Sequence, residues 1–186
     1  MSALRKGLAK VEVALKWDPS PAGAPPHDLD IVAAVYETDD RQGASGGPAA
    51  SAGPAAPAYL VHFGKRSPDG TITLNRDSRT GQGFGFDEVM TLELDRMSDR
   101  LRRVVVGVVV QDTGAARTFG DVPGTAVRIR EGWTDLVVDD FSAVADASAA
   151  TVAEFVRGDG GGWTLRPGVR GFTAGPEEFA RLMGAV

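Results

Sequence analysis

The chain contains no cysteine. That absence excludes a disulfide framework, a thiolate zinc site, an iron–sulfur cluster and a cysteine nucleophile. Histidine is nearly missing as well, with only His27 and His62, which leaves no basis for a multi-histidine transition-metal site. Excess positive charge is also lacking. A formal net charge of −5 has the wrong sign for the field that non-specific nucleic-acid binding requires, so no nucleic-acid partner is expected and a cation is the more natural one. No run reaches the roughly 18 apolar residues of a membrane helix; the longest is VVVGVVV at 104–110. The N-terminal MSALRKGLAKVEVALKW carries Lys6, Lys10, Glu12 and Lys16 and lacks the apolar centre of a signal peptide, so a cytoplasmic location is expected.

What the chain does have is enough length, 186 residues, to remove roughly 70% of its unfolded surface from water, and hence a real core. At 11–17, VEVALKW sets Val11, Val13, Leu15 and Trp17 against Glu12, Ala14 and Lys16, the period of a strand with one wet face. Similar short runs follow at 31–36, 59–63, 71–74, 90–94, 103–110, 126–130, 134–138 and 151–156. Short strands separated by turn residues indicate an antiparallel sandwich or barrel. The doubly apolar run at 104–110 reads as its central strand, covered on both faces.

Helical signals are few. Pro176 followed by EEFARLMGAV has proline and acidic residues where a first helical turn wants them, which predicts a short C-terminal helix. Residues 96–102 are expected to form a helical turn. The segment 39–57, DDRQGASGGPAASAGPAAP, has no apolar period and reads as a flexible loop inside one domain spanning 1–186.

Two stretches carry chemistry. In PPHDLDI at 25–31, alternation sends Asp28 and Asp30 to one side and Leu29 to the core, and carboxylates so placed repel unless a proton or cation lies between them. The second, RDSRTGQGFGFDE at 76–88, is rich enough in glycine to suggest a phosphate cradle. It fails that test: Phe86 stands where the third glycine of a dinucleotide fingerprint belongs, no helix pattern follows, and no GK[ST] is present. It is not an EF-hand loop either, because Arg79 occupies the third position from Asp77. Its acids, Asp77, Asp87 and Glu88, with oxygens around Ser78 and Thr80, could instead join Asp28 and Asp30 around one hard cation, and glycines let the backbone turn carbonyls toward it.

The motif order is KG near the N-terminus, a strand ending in Trp17, DLD at 28–30, SPDG at 67–70, RDSRTG at 76–81, GFDE at 85–88 and LRPGVRGFTAGPEEF near the C-terminus. It resembles the TerD family of tellurite-resistance and stress proteins over nearly the whole chain. The resemblance implies an all-β fold, an antiparallel β-sandwich of about eight to ten strands with a short C-terminal helix. It also implies Ca2+ as cofactor, with Asp28 and Asp30 matching the family's DLD acids, Asp77, Ser78 and Thr80 its GDNxTG segment, and Asp87 and Glu88 the last acids of GDDE. Arg76 replaces a usual glycine, and Phe84 and Phe86 stand where acids are common, so one calcium ion is expected in place of two.

The remaining conspicuous residues have structural explanations. His27 and His62 lack partners at ligand spacing; Trp17, Trp133 and Trp163 are expected to pack in the core or at an edge; Arg102 and Arg103 read as a solvated strand end. The leading functional expectation is a non-catalytic calcium-binding stress-response protein, a binding or scaffolding module with other stress-response proteins as partners. Two rivals are a metal-dependent nucleotide-sugar or phosphate-ester enzyme built on the DxD pair, and a calcium-dependent membrane-surface module that inserts Phe84 and Phe86.

Overall fold

The computed structural model describes residues 7–38 and 56–185. The alternation of VEVALKW becomes β1 (Lys10–Lys16), in which Val11, Val13 and Leu15 are fully buried. Nine more strands follow: β2 (Leu29–Tyr36), β3 (Tyr59–Val61), β4 (Ile72–Arg76), β5 (Glu88–Glu93), β6 (Arg103–Val110), β7 (Ala126–Glu131), β8 (Thr134–Asp139), β9 (Ala149–Arg157) and β10 (Trp163–Phe172). They form two five-stranded antiparallel sheets, ordered β4-β5-β1-β7-β8 and β10-β9-β6-β2-β3. This is the all-β sandwich expected from the sequence. The 96–102 turn instead forms one 3-10 turn at Leu94–Arg96, and most of the expected 39–57 loop lies outside the described residues.

β6 is buried along its whole length because it has a neighbour on each face. Val104, Val106 and Val108 point into the core between the sheets, whereas Val105 and Val109 belong to a smaller cluster beneath α1 (Pro176–Leu182). Gly107 lies on that outer face, where a Cβ would stand 2.5 Å from Phe179 Cζ. The absent side chain admits the ring, and with it the helix. Among the described residues no helix is long and apolar enough to cross a membrane.

Three expectations are corrected. Arg103 is fully buried, not solvated: its guanidinium pairs with Glu154, donates to the Gly184 carbonyl at 2.9 Å and lies 5.1 Å from the Tyr36 ring centroid. Arg102 stays nearer the surface, 3.3 Å from Asp159. Trp17 and Trp163 are buried, but Trp133 is 96% exposed beside Gly132 in the turn between β7 and β8. Finally, β10 was not expected from the sequence. Pro167 and Gly168 interrupt it, and both are tolerated because β10 is an edge strand whose register shifts between Pro167 and Arg170.

Candidate metal site

The acids meet at one end of the sandwich because two strands of opposite sheets begin there. Asp28 stands one residue ahead of β2, and its carbonyl accepts the Gln111 N–H at 2.8 Å, one step beyond the Leu29–Val110 pair of the β2–β6 ladder. Leu29 and Ile31 enter the core, which leaves Asp30 on the alternate side, 3% exposed. β3 pairs only with Ala33–Val35 of β2. The Ile31 N–H, beyond its reach, donates to Glu88 Oε2 at 2.7 Å. Glu88 opens β5 in the other sheet and is fully buried, so this one carboxylate bridges the sheets.

Trp17 sets the loops around it. Its indole Nε1 donates to the His27 carbonyl at 2.9 Å, its backbone N–H donates to Asp87 Oδ2 at 3.0 Å, and Asp87 N–H returns to the Leu15 carbonyl at 2.8 Å. His27 is tied in turn by Nδ1, which donates to the Asp18 carbonyl at 2.9 Å. The 77–87 loop closes on the same ring: Gly81 has φ 65°, and Ser78 Oγ accepts its N–H at 3.3 Å. One tryptophan therefore fixes both acid-bearing segments.

Oxygens of Asp30, Asp77 and Glu88 all lie within 4.8 Å of one another. Two oxygens bound to one calcium at about 2.3–2.6 Å are at most about 5 Å apart, so a single ion could reach all three. Gln111 Nε2 donates to Asp30 Oδ2, and Arg66 lies 3.8 Å from Asp77. Asp28 Oδ1 and Glu88 Oε1 are buried without a hydrogen-bond partner among the described residues. Burial, with Asp30 and Asp77 adding repulsion, pushes Asp28 up to about 7. Burial and then Asp30 push Glu88 up to about 10. Asp30 is raised by burial against the opposing Gln111 hydrogen bond. An all-oxygen set with orphaned carboxylate atoms fits a hard cation, and calcium better than zinc or copper.

Of the seven residues singled out in the sequence, the fold brings together Asp30, Asp77 and Glu88, with Asp28 close enough to feel two of them. Asp87 stands just ahead of β5 and is not in that cluster; its carboxylate accepts the Trp17 amide. The Ser78 and Thr80 hydroxyls accept backbone N–H groups of their own loop. Phe84 is fully exposed, whereas Phe86 packs 4.5 Å beneath the Arg128 guanidinium. Gln111 was missed. Its signal was its place as the first polar residue after an unbroken apolar strand, where the antiparallel register lays it beside DLD.

The TerD domain family model matches residues 1–182. The chain belongs to the TerD family. It is 26% identical over 179 residues to the tellurium resistance protein TerD of Serratia marcescens, covering 94% of this chain and 87% of that one. It is 24% identical to general stress protein 16U of Bacillus subtilis, covering 96% and 89%. Two crystal structures share the fold at higher identity. One is of a protein of unknown function, 55% identical, with a TM-score of 0.88 and coverage of 97% and 99%. The other is a Streptomyces coelicolor homologue of the telluride resistance protein, 50% identical, with a TM-score of 0.86 and coverage of 96% and 98%.

Proposed function

We propose that this TerD-family protein is a non-catalytic calcium-binding module of a tellurium and stress response, working in the cytoplasm by binding or scaffolding other response proteins. The observation that carries this reading is the convergence of Asp30, Asp77 and Glu88 from two sheets and a loop, with buried carboxylate oxygens left unpaired beside them. Asp30, Asp77, Glu88 and Asp28 would hold the ion, and its charge would offset the repulsion among them. The names of the Serratia and Bacillus relatives supply the stress context. Isothermal titration tests the reading: calcium is expected to bind with a stoichiometry near one, and magnesium more weakly. A flat calcium titration removes it. Magnesium- or manganese-dependent nucleotide binding would favour the DxD enzyme instead.

A second reading rests on Phe84, fully exposed between Gly83 and Gly85 in the loop that supplies Asp77. It would insert into an anionic lipid surface when calcium is bound. Co-sedimentation with phosphatidylserine vesicles should then need both calcium and Phe84, and vesicle binding that ignores either one disposes of the idea.

A further inference from the structure

On the outer face of the β10-β9-β6-β2-β3 sheet lies a groove of about 710 Å³ between α1 and the end of β3, within the roughly 300–1,000 Å³ of small-molecule sites. It exists because α1 covers only part of that face. Phe179 seats the helix on Gly107, and Met183 joins the same buried cluster as Tyr36. Pro176 and Ala180, one turn apart on the neighbouring helix stripe, line the space that remains. Its floor is apolar, formed by Val32, Leu60 and Val109. Phe63, 45% exposed, stands at the far wall, held edge-on to His62.

The charges around this apolar floor are unbalanced. Glu177 and Glu178 line it from the helix and Asp30 from the inner end, against Arg181 among the lining residues and Lys65 in the turn that bounds it. An apolar bed with excess carboxylate complements a positively charged guest, and an open aromatic face adds to that preference. The helix on one side and the His62–Lys65 turn on the other bound the space to a compact molecule.

We propose that this groove is a binding site for a small organic cation, an amine whose apolar body lies on Val32, Leu60 and Val109 against Phe63 while its ammonium group sits among Glu177 and Glu178. The groove touches the candidate metal site at Asp30 but takes its cation from Glu177 and Glu178, and its test is run in chelator so that the two readings stand or fall apart.

The probe is dansylcadaverine, a fluorescent aromatic body with a primary ammonium, compared with dansyl-6-aminohexanoate, which carries the same body on a carboxylate. Saturable binding of the first is expected, with the second at least about tenfold weaker. Glu177→Gln with Glu178→Gln should weaken the cation by roughly two- to fivefold per charge and leave the anion unchanged or improved. Ala180→Phe, a surface helix change that fills the groove, should abolish binding of both while thermal unfolding shows the fold intact. Equal affinity for the two probes overturns the proposal, as does binding that survives Ala180→Phe.

Discussion

The indole of Trp17 occupies the space that a side chain at Gly81 would need: a Cβ there would stand 2.6 Å from both Cδ1 and Nε1 of the ring. Gly81 also has φ 65°, so glycine is required twice over, once by the backbone and once by the contact. Gly81→Ala is expected to cost about 2–4 kcal/mol in urea unfolding, strain and overpacking together. Gly85→Ala is its control. Gly85 has φ 85° but nothing within 4 Å of a Cβ, so only the backbone cost of about 1 kcal/mol applies. Equal losses in the two variants would show that Trp17 does not fix this loop.

That contact also marks where the sequence stops being legible. The alternation in VEVALKW shows a strand, and the glycines of RDSRTGQGFGFDE show a tight turn. Nothing local says that the ring at 17 and the glycine at 81 share one space, because tertiary contacts have no period. The same limit explains Asp87 and Glu88. They adjoin at the start of β5, and which of them joins the cluster is decided by distant partners: the Trp17 amide takes the Asp87 carboxylate, while Glu88 meets Asp30 and Asp77. Arg103 was misread for a related reason: an arginine at a strand end is usually wet, and the partners that make its burial tolerable, among them Glu154 and the Gly184 carbonyl, lie far away in the sequence. β10 was hidden by Pro167, whose meaning depends on whether the strand is at an edge.

The buried ion pair gives a sharp test of that correction. Glu154→Gln removes the carboxylate that balances the buried Arg103 guanidinium beneath the C-terminal turn, and losing one partner of a buried pair costs about 3–5 kcal/mol. Arg102→Ala breaks only a pair with Asp159, whose side chain is fully exposed, and should cost less than about 1 kcal/mol. Chemical denaturation of both variants checks the contrast, and similar values for the two would mean that Arg103 is solvated after all.

Removing one acid from the cluster should act in opposite directions with and without calcium. Asp77→Asn or Asp28→Asn relieves repulsion, so in chelator each variant is expected to melt higher than the parent chain. In calcium the order reverses. The parent chain should gain about 2.7 kcal/mol at a hundredfold excess over Kd, and the variants little or none. Asp95→Asn, an exposed acid elsewhere, should keep the full calcium response. Melting curves of the parent chain that coincide in calcium and chelator would remove the metal reading altogether.

The same carboxylates set a pH dependence whose sign follows from linkage. Asp28 is pushed up to about 7 from 3.8, and Glu88 up to about 10 from 4.5, chiefly by burial. A carboxyl with a higher pKa in the fold binds protons more tightly folded than unfolded. Without a cation, the folded state therefore loses stability as pH rises above about 4, with the Asp28 part of the loss complete near 7 and the Glu88 part continuing toward 10. Bound calcium replaces those protons, so its affinity should strengthen as pH rises through the same window, with proton release on binding. Thermal unfolding at about pH 5 and about pH 8 checks both halves: in chelator the melting temperature should be lower at the higher pH, and the gap between calcium and chelator should widen there. Titrations in buffers of different ionisation enthalpy would report the released protons directly. A calcium-dependent gap that is constant across this range would mean that the buried acids are already ionised in the metal-free fold, and that the ion meets a preformed anionic site.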